Sequence, residues 1–511
     1  MSDKLRGAHA IQGVPAGTIA AARASLAVKL PPLADFRTTG RRTPISPPVL
    51  AGAVRAFELM VTLLTGLVVA ILYVAEPNLL SHAAYPTALV AMSLATVISF
   101  ELLGLYKAPA FSSIMRHLPR VVTGWTAAFA ALVAVIFFLK QGDSYSRVWL
   151  AAWFISGGFA LVGARFALAA LVRSWAKAGR LYRRAVIYGT GEVSESLIRE
   201  LEANAAGDIR ISGVFDDRDD DRRATMIAGY PRLGGLRQLV DHCRRASVDL
   251  AIVALPITAE KRLSEVMKEI SVLPVDVKLP AAATTLRFSP RIYSRVGDVA
   301  MIDLHDTPIA DWGRVSKWLF DKVIGTVALV LLAPVMAAVA IAIKLDSRGP
   351  VFFRQKRYGF NNELIEVYKF RSMYADRCDA AACRLVSKHD PRVTRVGRFI
   401  RKTSLDELPQ LFNVLNGELS LVGPRPHALQ AKAENQLYDE AVEGYFARHK
   451  VKPGITGWAQ INGWRGETDT LEKIEKRVEF DLYYIENWSV FLDLYILLMT
   501  PVALLKAENA Y

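Results

Sequence analysis

The chain has 511 residues, of which 52% are hydrophobic, and it carries a formal net charge of +14. This length exceeds one compact domain, so we expect about three folding units. The mean hydropathy of +0.23 is too high for an ordinary soluble protein and indicates membrane segments. The positive charge favours anionic partners such as lipid headgroups, nucleic acid or phosphorylated substrates. Three cysteines are too few and too irregularly spaced for a disulfide framework or a zinc site, so we expect them to be reduced and structural.

The N-terminal third is predicted to be a tail followed by membrane helices. Residues 1–50 contain no apolar core followed by a cleavage site, which disfavours a signal peptide and predicts a disordered cytoplasmic tail. Each of the next apolar runs approaches the ~20 residues that a membrane helix needs. A soluble helical bundle is the disfavoured alternative, because the runs have little polar face. The predicted four-helix transmembrane bundle covers 51–175, with runs at 53–75, 85–106, 121–139 and 148–172.

The distribution of Lys and Arg predicts the topology of these helices. Basic residues precede the first run, the loop 76–84 has neither Lys nor Arg, and the second loop is again basic. The third loop fits imperfectly, since it contains Lys140 and Arg147 beside Asp143. Basic residues are dense after the fourth run. The pattern places the N-terminus and everything after residue 173 in the cytoplasm.

Residues 183–300 show the alternating strand and helix pattern of a Rossmann-like domain. Short apolar strands separated by helical segments imply a parallel, doubly wound sheet. Gly189 and Gly191 follow the first strand and can seat a phosphate at a helix N-terminus. However, Ser194 replaces the third glycine of the dinucleotide fingerprint. We interpret the segment as a degenerate or regulatory, CoA-binding-like cytoplasmic domain, with dinucleotide binding as the alternative.

A fifth apolar run, 323–345, differs from the others because Pro334 interrupts it. Proline removes one helical hydrogen bond and clashes with the preceding turn. Each half has about 11 residues, or roughly 17 Å of helix, about half of the ~30 Å hydrocarbon core. Both flanks are basic, whereas a spanning helix should have asymmetric flanks. We predict a re-entrant helix over 315–348 that is broken at Pro334, with a kinked spanning helix as the alternative.

The remaining residues, 349–511, are predicted to form a mixed α/β catalytic domain at the membrane surface. Basic, aromatic, glycine and proline residues cluster there in short blocks, beginning with 353–359. In the next block, residue alternation predicts a strand with Lys369 and Arg371 on one face.

A third block contains two adjacent carboxylates, Asp406 and Glu407. Ser404 and Glu407 have the spacing of a capping box, so helix initiation is one interpretation of both. Asp406 falls in the predicted first turn, near Arg401, where the positive end of the helix stabilises a carboxylate. A carboxylate in that position can attack phosphorus and form an acyl phosphate.

Three long blocks, at 401–415, 417–426 and 448–463, carry a family resemblance. They include the strings Ser-Leu-Asp-Glu-Leu, Gly-Pro-Arg-Pro and Gly-Trp-Ala-Gln in that order. Over about 315–511 the chain resembles the bacterial sugar transferase family, the polyprenyl-phosphate phosphoglycosyl transferases with one re-entrant membrane helix. With its preceding helices and Rossmann-like domain, it is most similar to the undecaprenyl-phosphate glucose phosphotransferases of exopolysaccharide synthesis.

The resemblance implies a two-step reaction. Asp406 would attack the β-phosphate of a UDP-sugar, expel UMP and hold the phosphosugar as an aspartyl ester, which undecaprenyl phosphate would then accept. Glu407 matches the second residue of the family's acidic pair and would bind Mg²⁺. Arg401 matches a basic residue suited to a phosphate. Further candidates are Lys369, Arg371 and Arg425 for phosphate binding, and Asp481 for either catalysis or a structural salt bridge.

The donor sugar is predicted to be glucose, because the Arg-Gly-Glu-Thr element at 465–468 is similar to one in glucose-transferring relatives. Galactose or an amino sugar is the alternative within the class. A membrane-bound dehydratase or epimerase would need a Tyr-x-x-x-Lys pair, which the chain lacks. An inactive membrane scaffold or sensor is disfavoured by the intact acidic pair.

Location and partners follow from the same resemblance. It implies a multi-pass protein of the bacterial inner membrane, with the catalytic domain on the cytoplasmic face, and it alone suggests a homodimer. The apolar stretch 488–505 is predicted to be an interfacial helix, because Trp and Tyr favour that zone. Nucleic acid is not expected as a partner, because the basic residues mostly flank apolar runs.

Overall fold

The structure of the chain is a computed structural model. Within the residues that it describes, long apolar helices come first, a sheet domain follows, and a long apolar helix then leads into a smaller α/β domain. The mixed α and α/β class is therefore as predicted, while most of the predicted tail lies outside the described residues. The described residues are 45–73, 84–107, 110–111, 114–178, 182–203, 209–218, 226–246, 248–256, 258–281, 293–296, 299–375, 390–427, 432–433, 436–437, 442, 445–464, 466 and 470–506.

Long apolar helices form the N-terminal part of the described chain. Each overlaps one predicted run and is long and apolar enough to cross a membrane. Their outward faces expose large apolar side chains such as Leu72 and Phe159, which water would disfavour. These helices indicate a multi-pass membrane protein. Their bounds are α1 (Pro47–Tyr73), α2 (Ala84–Leu102), α3 (Ile114–Phe138) and α4 (Arg147–Lys177).

A buried ion pair joins the first and last of these helices. Arg165 of α4 donates to Glu58 of α1 at 3.0 Å (Nη2–Oε2), and Tyr106 donates to the same oxygen at 2.8 Å. Nearby, the Trp153 indole donates to the carbonyl of Thr62 at 3.1 Å. Charges among apolar helices are costly unless they are paired, so this network fixes how α1 and α4 pack.

A six-stranded sheet forms the core of the next domain, in the order β2-β1-β5-β6-β8-β7. The first four strands of that order are parallel, as predicted. β8 pairs antiparallel with both neighbours, which was not predicted. Since two residues separate β7 from β8, only antiparallel pairing can join them. The elements are β1 (Arg183–Tyr188), α5 (Glu192–Ala203), β2 (Ile209–Phe215), β3 (Met226–Ile227), β4 (Tyr230–Pro231), α6 (Leu236–Arg245), β5 (Leu250–Val253), α7 (Glu260–Ile270), β6 (Asp276–Pro280), β7 (Tyr293–Val296) and β8 (Val299–His305).

Helices cover both faces of this sheet. Alternate residues of β1 point to opposite sides: Val186 joins a core with α6 and α7, and Ile187 joins a second core with α5. Cys243 of α6 is a buried free thiol, in agreement with the prediction, whereas Cys378 and Cys383 lie outside the described residues.

The turn after β1 is tight. Gly189 has φ +111°, and a Cβ there would lie 2.8 Å from the carbonyl oxygen of Ala254. Ser194 is buried, and its hydroxyl donates to the carbonyl of Gly189 at 2.8 Å. The serine therefore packs at the position where the dinucleotide fingerprint requires its third glycine.

The fifth apolar run lies in a single helix, α8 (Asp311–Asp346), which contains Pro334. The predicted break at Pro334 is therefore not an end of the helix. Residues on both sides of the proline pack against the C-terminal domain. Ile324 joins a core that includes Val414, and Ile343 joins another that includes Ile400.

The C-terminal domain combines a hairpin, short helices and a two-stranded parallel sheet. Asn413 is fully buried and ties a helix to the hairpin: its Oδ1 accepts from Tyr368 N at 3.0 Å, and its Nδ2 donates to the carbonyl of Glu366 at 2.7 Å. The elements are β9 (Phe352–Tyr358), β10 (Leu364–Phe370), α9 (Arg395–Lys402), α10 (Gln410–Asn416), β11 (Ser420–Val422), β12 (Lys432–Ala433), β13 (Gln436–Leu437), β14 (Gly454–Thr456), α11 (Trp458–Ile461), α12 (Leu471–Glu486) and α13 (Val490–Lys506).

The last helix, α13, carries a buried acid that anchors it to this domain. Asp493 accepts from Lys317 Nζ at 2.7 Å and from the Tyr484 hydroxyl at 2.7 Å. Lys317 belongs to α8 and also donates to the carbonyl of Val422 at 2.8 Å. The first part of α8 and the last helix are thus fixed to the same domain.

Candidate active site

The predicted nucleophile lies in a tight turn between two helices. α9 ends at Lys402, α10 begins at Gln410, and Leu405–Glu407 between them is one turn of 3₁₀-helix. Ser404 has φ +59° and makes no side-chain capping hydrogen bond. The predicted capping box is therefore wrong, because the chain passes through a left-handed residue here and the Glu407 carboxylate is engaged elsewhere.

Two cations hold the Glu407 carboxylate. Lys369 Nζ donates to Oε1 at 2.9 Å, and Arg425 donates to both oxygens, at 2.6 Å (Nη2–Oε1) and 3.1 Å (Nη1–Oε2). Burial alone would raise the pKa of Glu407, but Arg425 and Lys369 outweigh it and hold that pKa well below its usual range. Glu407 is therefore a fixed, ionised anchor.

Asp406, one residue earlier, has a different environment. Its side chain is half-buried, and within the described part of the chain no hydrogen bond reaches its carboxylate. Burial raises the pKa of Asp406, and the charge of Glu407 adds to this effect, while Lys369 and Arg401 oppose it. An uncapped carboxylate close to cations is available to attack an electrophile that carries negative charge.

The cations come from separate elements, so the fold rather than the local sequence brings them together. Lys369 lies on β10, Arg357 on β9, Arg401 on α9, and Arg425 in the segment after β11. Burial lowers the pKa of Lys369, although Glu407 opposes the shift. Burial and the charge of Arg425 lower the pKa of Arg357 to about 10, which leaves its guanidinium charged at neutral pH.

Arg371 lies elsewhere. β10 ends at Phe370, so the prediction that Arg371 shares a strand face with Lys369 is wrong. Its guanidinium donates to the carbonyls of Ser347, at 2.8 Å, and Arg348, just after α8. Arg371 therefore satisfies backbone carbonyls at a helix C-terminus. Its predicted contact with phosphate stays a prediction.

Asp481 forms a buried salt bridge. It is 2% exposed, and Arg448 Nη2 donates to its Oδ2 at 2.5 Å. Burial raises the pKa of Asp481, and the charges of Arg448 and Arg477 oppose the shift. This geometry favours the structural interpretation of Asp481 over direct catalysis.

Sequence reasoning missed Arg357 and Arg448. Arg357 lies in the predicted basic block, and strand alternation places it beside Gln355, which accepts from it at 3.1 Å (Nε) and 2.8 Å (Nη2). That periodicity was a usable signal. Arg448 had no such signal, because its partner Asp481 lies 33 residues away. In the proposed glucose element, only Gly466 lies among the described residues.

Comparison with known proteins supports the sequence resemblance. The model of the bacterial sugar transferase family matches residues 312–507, and that of a CoA-binding domain matches 101–281. The UDP-glucose:undecaprenyl-phosphate glucose-1-phosphate transferase of Xanthomonas campestris pv. campestris is 33% identical, over 89% of this chain and 94% of its own length. The chain belongs to the bacterial sugar transferase family.

Two other relatives have similar names. The UDP-glucose:undecaprenyl-phosphate glucose-1-phosphate transferase of Escherichia coli (strain K12) is 36% identical, over 80% of this chain and 87% of its own length. The undecaprenyl-phosphate glucose phosphotransferase of Komagataeibacter xylinus is 42% identical, over 65% of this chain and 61% of its own length. The prediction that this sugar transferase is an enzyme is confirmed.

The acidic pair of this sugar transferase is compatible with Mg²⁺ bound mainly by substrate. Among the described residues no group of three or more acidic, His or Cys side chains could hold a metal. Glu407 Oε2 accepts one hydrogen bond, from Arg425, so it retains capacity for a further ligand. Mg²⁺ commonly uses one or two carboxylates together with substrate phosphates and water, and that donor set fits here.

Proposed function

We propose that this chain transfers glucose 1-phosphate from UDP-glucose to undecaprenyl phosphate, giving undecaprenyl diphosphate glucose and UMP, the first membrane step of exopolysaccharide synthesis. The carrying observation is the pair of adjacent carboxylates, in which Glu407 is fixed by two cations and Asp406 is open to a substrate. Donor and acceptor come from the names of the relatives that match most of the chain.

In the first step, an Asp406 carboxylate oxygen attacks the phosphorus that carries the sugar. A bond forms between these two atoms, and the bond from this phosphorus to the bridging oxygen breaks. UMP leaves with the bridging oxygen and its electron pair, and the phosphosugar stays on Asp406 as an acyl phosphate. Asp406 must be ionised to attack, and Lys369 and Arg401 favour the ionised form against burial.

In the second step, an oxygen of undecaprenyl phosphate attacks the same phosphorus. The acyl phosphate bond breaks, its electron pair returns to Asp406, and the lipid leaves as a diphosphate sugar. Asp406 is then an ionised carboxylate again. No water is needed in either step, so a site that excludes water favours transfer over hydrolysis.

Glu407 has a role distinct from attack. By pairing with Lys369 and Arg425, it prevents either cation from capping Asp406, and it holds both where the diphosphate must lie. Positive groups fixed around a transferring phosphoryl group stabilise the charge that develops on its oxygens. Glu407 and phosphate oxygens would hold Mg²⁺, which supplies further neutralisation of that charge when bound.

We also propose that α8 is re-entrant and that the catalytic domain lies on the cytoplasmic face of the inner membrane. Near the first end of α8, Lys317 Nζ donates to Asp493 at 2.7 Å. At the last residue of α8, Asp346 accepts a hydrogen bond from Val396 N at 3.1 Å. A spanning helix would place ~30 Å of hydrocarbon between those ends, whereas both bind one domain. The exposed face of α8 carries Leu331 and Leu345, which suits lipid.

The reaction is tested by UMP release from a panel of UDP-sugars with purified enzyme. We expect UDP-glucose to be the substrate, and Asp406→Asn to release no UMP above background. Asp241→Asn, on the exposed surface of α6, is the matched control and should retain full activity. Comparable UMP release by Asp406→Asn would reject Asp406 as the nucleophile.

The panel also tests the donor. A relative from Salmonella typhimurium that is 31% identical is named for galactose, and one from Aeromonas hydrophila that is 41% identical is named for N-acetylgalactosamine. Turnover of UDP-galactose alone would reject glucose and leave the nucleophile assignment intact.

The topology is tested by cysteine labelling in whole cells, after the three native cysteines have been replaced. A cysteine introduced by Ser347→Cys should react with an impermeant maleimide only after the inner membrane is opened. Ser81→Cys, in the loop predicted to be periplasmic, is the control that should react in intact cells. Labelling of Ser347→Cys in intact cells would overturn the re-entrant proposal.

A further inference from the structure

The loop that carries Arg425 is held largely by hydrogen bonds to its backbone carbonyls. Residues 423–427, called here the Arg425 loop, contain proline at 424 and 426. Proline has no backbone N–H, so the two residues beside Arg425 cannot donate hydrogen bonds from their main chain. At the two prolines the backbone can therefore form hydrogen bonds only through its carbonyl groups, while Gly423 N donates to the carbonyl of Thr456 at 2.9 Å.

The carbonyls of Pro424, Arg425 and Pro426 each accept a hydrogen bond. Gly454 N donates to the Pro424 carbonyl at 2.9 Å. Arg448 Nη2 donates to the Arg425 carbonyl at 2.8 Å, and Arg357 Nη1 donates to the Pro426 carbonyl. Two of the three donors are thus guanidinium groups, supplied by elements that are far from the loop in sequence.

Arg448 is itself rigidly placed. It is fully buried, its Nη2 also donates to Asp481, and its Nη1 lies 2.6 Å from His427 Nδ1 at the end of the loop. One planar group therefore joins an acid, a backbone carbonyl and a ring. A lysine ammonium cannot reproduce this geometry, because it lacks the fixed fork of donors.

Arg357 holds the other side of the loop. Its Nε and Nη2 both bind Gln355 on the same face of β9, which leaves Nη1 directed at Pro426. The hairpin that carries Arg357 also carries Lys369, the second partner of Glu407. The hairpin therefore sets two cations of the site relative to each other.

We propose that Arg357 and Arg448 are positioning residues, which hold the Arg425 loop so that the Arg425 guanidinium meets Glu407 and the donor diphosphate. This inference rests on the proposed function, since it assigns Arg425 to the transferred phosphoryl group. It also gives Asp481 a role, which is to orient Arg448. Arg357 and Arg448 act through Arg425 and not by contact with the reacting atoms.

The test is a double-mutant cycle on UMP release, with Arg448→Lys and Arg357→Lys made in the wild-type and in the Arg425→Ala backgrounds. In the wild-type background we expect each to lower kcat about 100-fold, the usual cost of a misplacement of ~1 Å. In the Arg425→Ala background we expect less than about a threefold further loss, because groups that act as a unit are not additive. Arg354→Lys, an exposed side chain on the same hairpin, should have no effect in either background.

A general structural role predicts a different pattern. Equal losses in both backgrounds, or no loss in the wild-type background, would overturn the proposal. If Arg448→Lys does not fold, as judged by thermal unfolding, the half-buried Arg357 carries the same test. Absence of UMP release by the wild-type enzyme with every UDP-sugar would instead reject the proposed function.

Discussion

Two pairs of adjacent acids, one in the Rossmann-like domain and one in the C-terminal domain, each pair with an arginine. They differ in how many of their carboxylates accept hydrogen bonds. In the Rossmann-like domain, Asp216 and Asp217 follow β2, at the edge where a nucleotide would bind. The Thr190 hydroxyl donates to Asp216, and Tyr188 donates to Asp217 at 2.8 Å. Arg262 also forms a salt bridge with Asp217. Both members of this pair are engaged.

In the catalytic domain, only one member of the pair is engaged. Glu407 accepts hydrogen bonds from Lys369 and Arg425, and no hydrogen bond reaches Asp406 among the described residues. Under the proposed mechanism, this difference explains why Asp406 rather than Glu407 attacks. One carboxylate binds the neighbouring cations, and the other is thereby left open beside them.

After the complete loss expected for Asp406→Asn, the next largest effect is expected for Glu407→Gln, which removes the charge that holds Lys369 and Arg425. A neutral amide cannot hold two cations, so Lys369 and Arg425 become free to cap Asp406. We expect kcat to fall about 10²–10³-fold, the usual cost of removing a preorganised electrostatic group. The loss of kcat is measured from initial rates of UMP release. Glu366→Gln, on the exposed side of β10, is the control and should keep its activity. A loss below about threefold would contradict the assigned role.

A smaller effect is expected for Arg425→Lys. Lysine keeps the charge but cannot contact both oxygens of Glu407, as Arg425 does. We expect kcat to fall about 10–100-fold, because bidentate arginine sites do not tolerate lysine. The same assay checks it, with Arg354→Lys as the matched conservative change. Full activity would show that the bidentate geometry is dispensable.

The pH dependence of kcat/KM tests whether the pKa of Asp406 is raised in the free enzyme. Burial and Glu407 raise the pKa of Asp406, so its carboxylate becomes protonated, and inactive, at a higher pH than an ordinary Asp with a pKa of about 3.9. We expect the acid limb to lie above that value. Because Lys369 lowers this pKa, Lys369→Met should move the limb to still higher pH. A shift to lower pH would contradict the assignment.

The smallest effect is expected for Asp217→Asn in the fully engaged pair. The amide oxygen can still accept from Leu236 N, which donates to Asp217 at 2.7 Å. The half-exposed pair with Arg262 is lost, and such pairs contribute about 0–1 kcal/mol. The Tyr188 hydroxyl, which donates to the other carboxylate oxygen, can instead accept from the new amide N–H. We expect UMP release to stay within about twofold and the free energy of unfolding to fall by less than about 1 kcal/mol. A tenfold loss of activity would show that this domain acts on catalysis.

The sequence was informative where a short stretch determines its own structure. The apolar runs correspond to helices because a stretch of about 20 apolar residues has few alternative structures in a membrane. The bounds are less exact, since α3 begins at Ile114, before the predicted run. The strand pattern similarly predicted the parallel part of the sheet. Asp406 and Glu407 stand out in a contiguous motif, and of the predicted cations Lys369, Arg401 and Arg425 lie around them in the structure.

The failures came from contacts between distant segments. The sequence predicts that Arg371 lies on the strand of Lys369, but β10 ends one residue earlier, at Phe370, and the Arg371 guanidinium contacts the carbonyls of Ser347 and Arg348. Ser404 was read as a helix cap because its spacing with Glu407 fits, but Lys369 and Arg425 compete for that carboxylate. The pairing of Arg448 with Asp481 depends on the fold, which places α12 against the segment after β13.

A single turnover without undecaprenyl phosphate tests most directly whether Asp406 forms a covalent intermediate. Enzyme is mixed with UDP-glucose labelled in the sugar, and released UMP and protein-bound label are both counted. We expect up to one UMP per active site and label on the peptide that contains Asp406, and undecaprenyl phosphate should then remove that label. UMP release only when undecaprenyl phosphate is present, with no label on the protein, would contradict the covalent route and Asp406 as nucleophile.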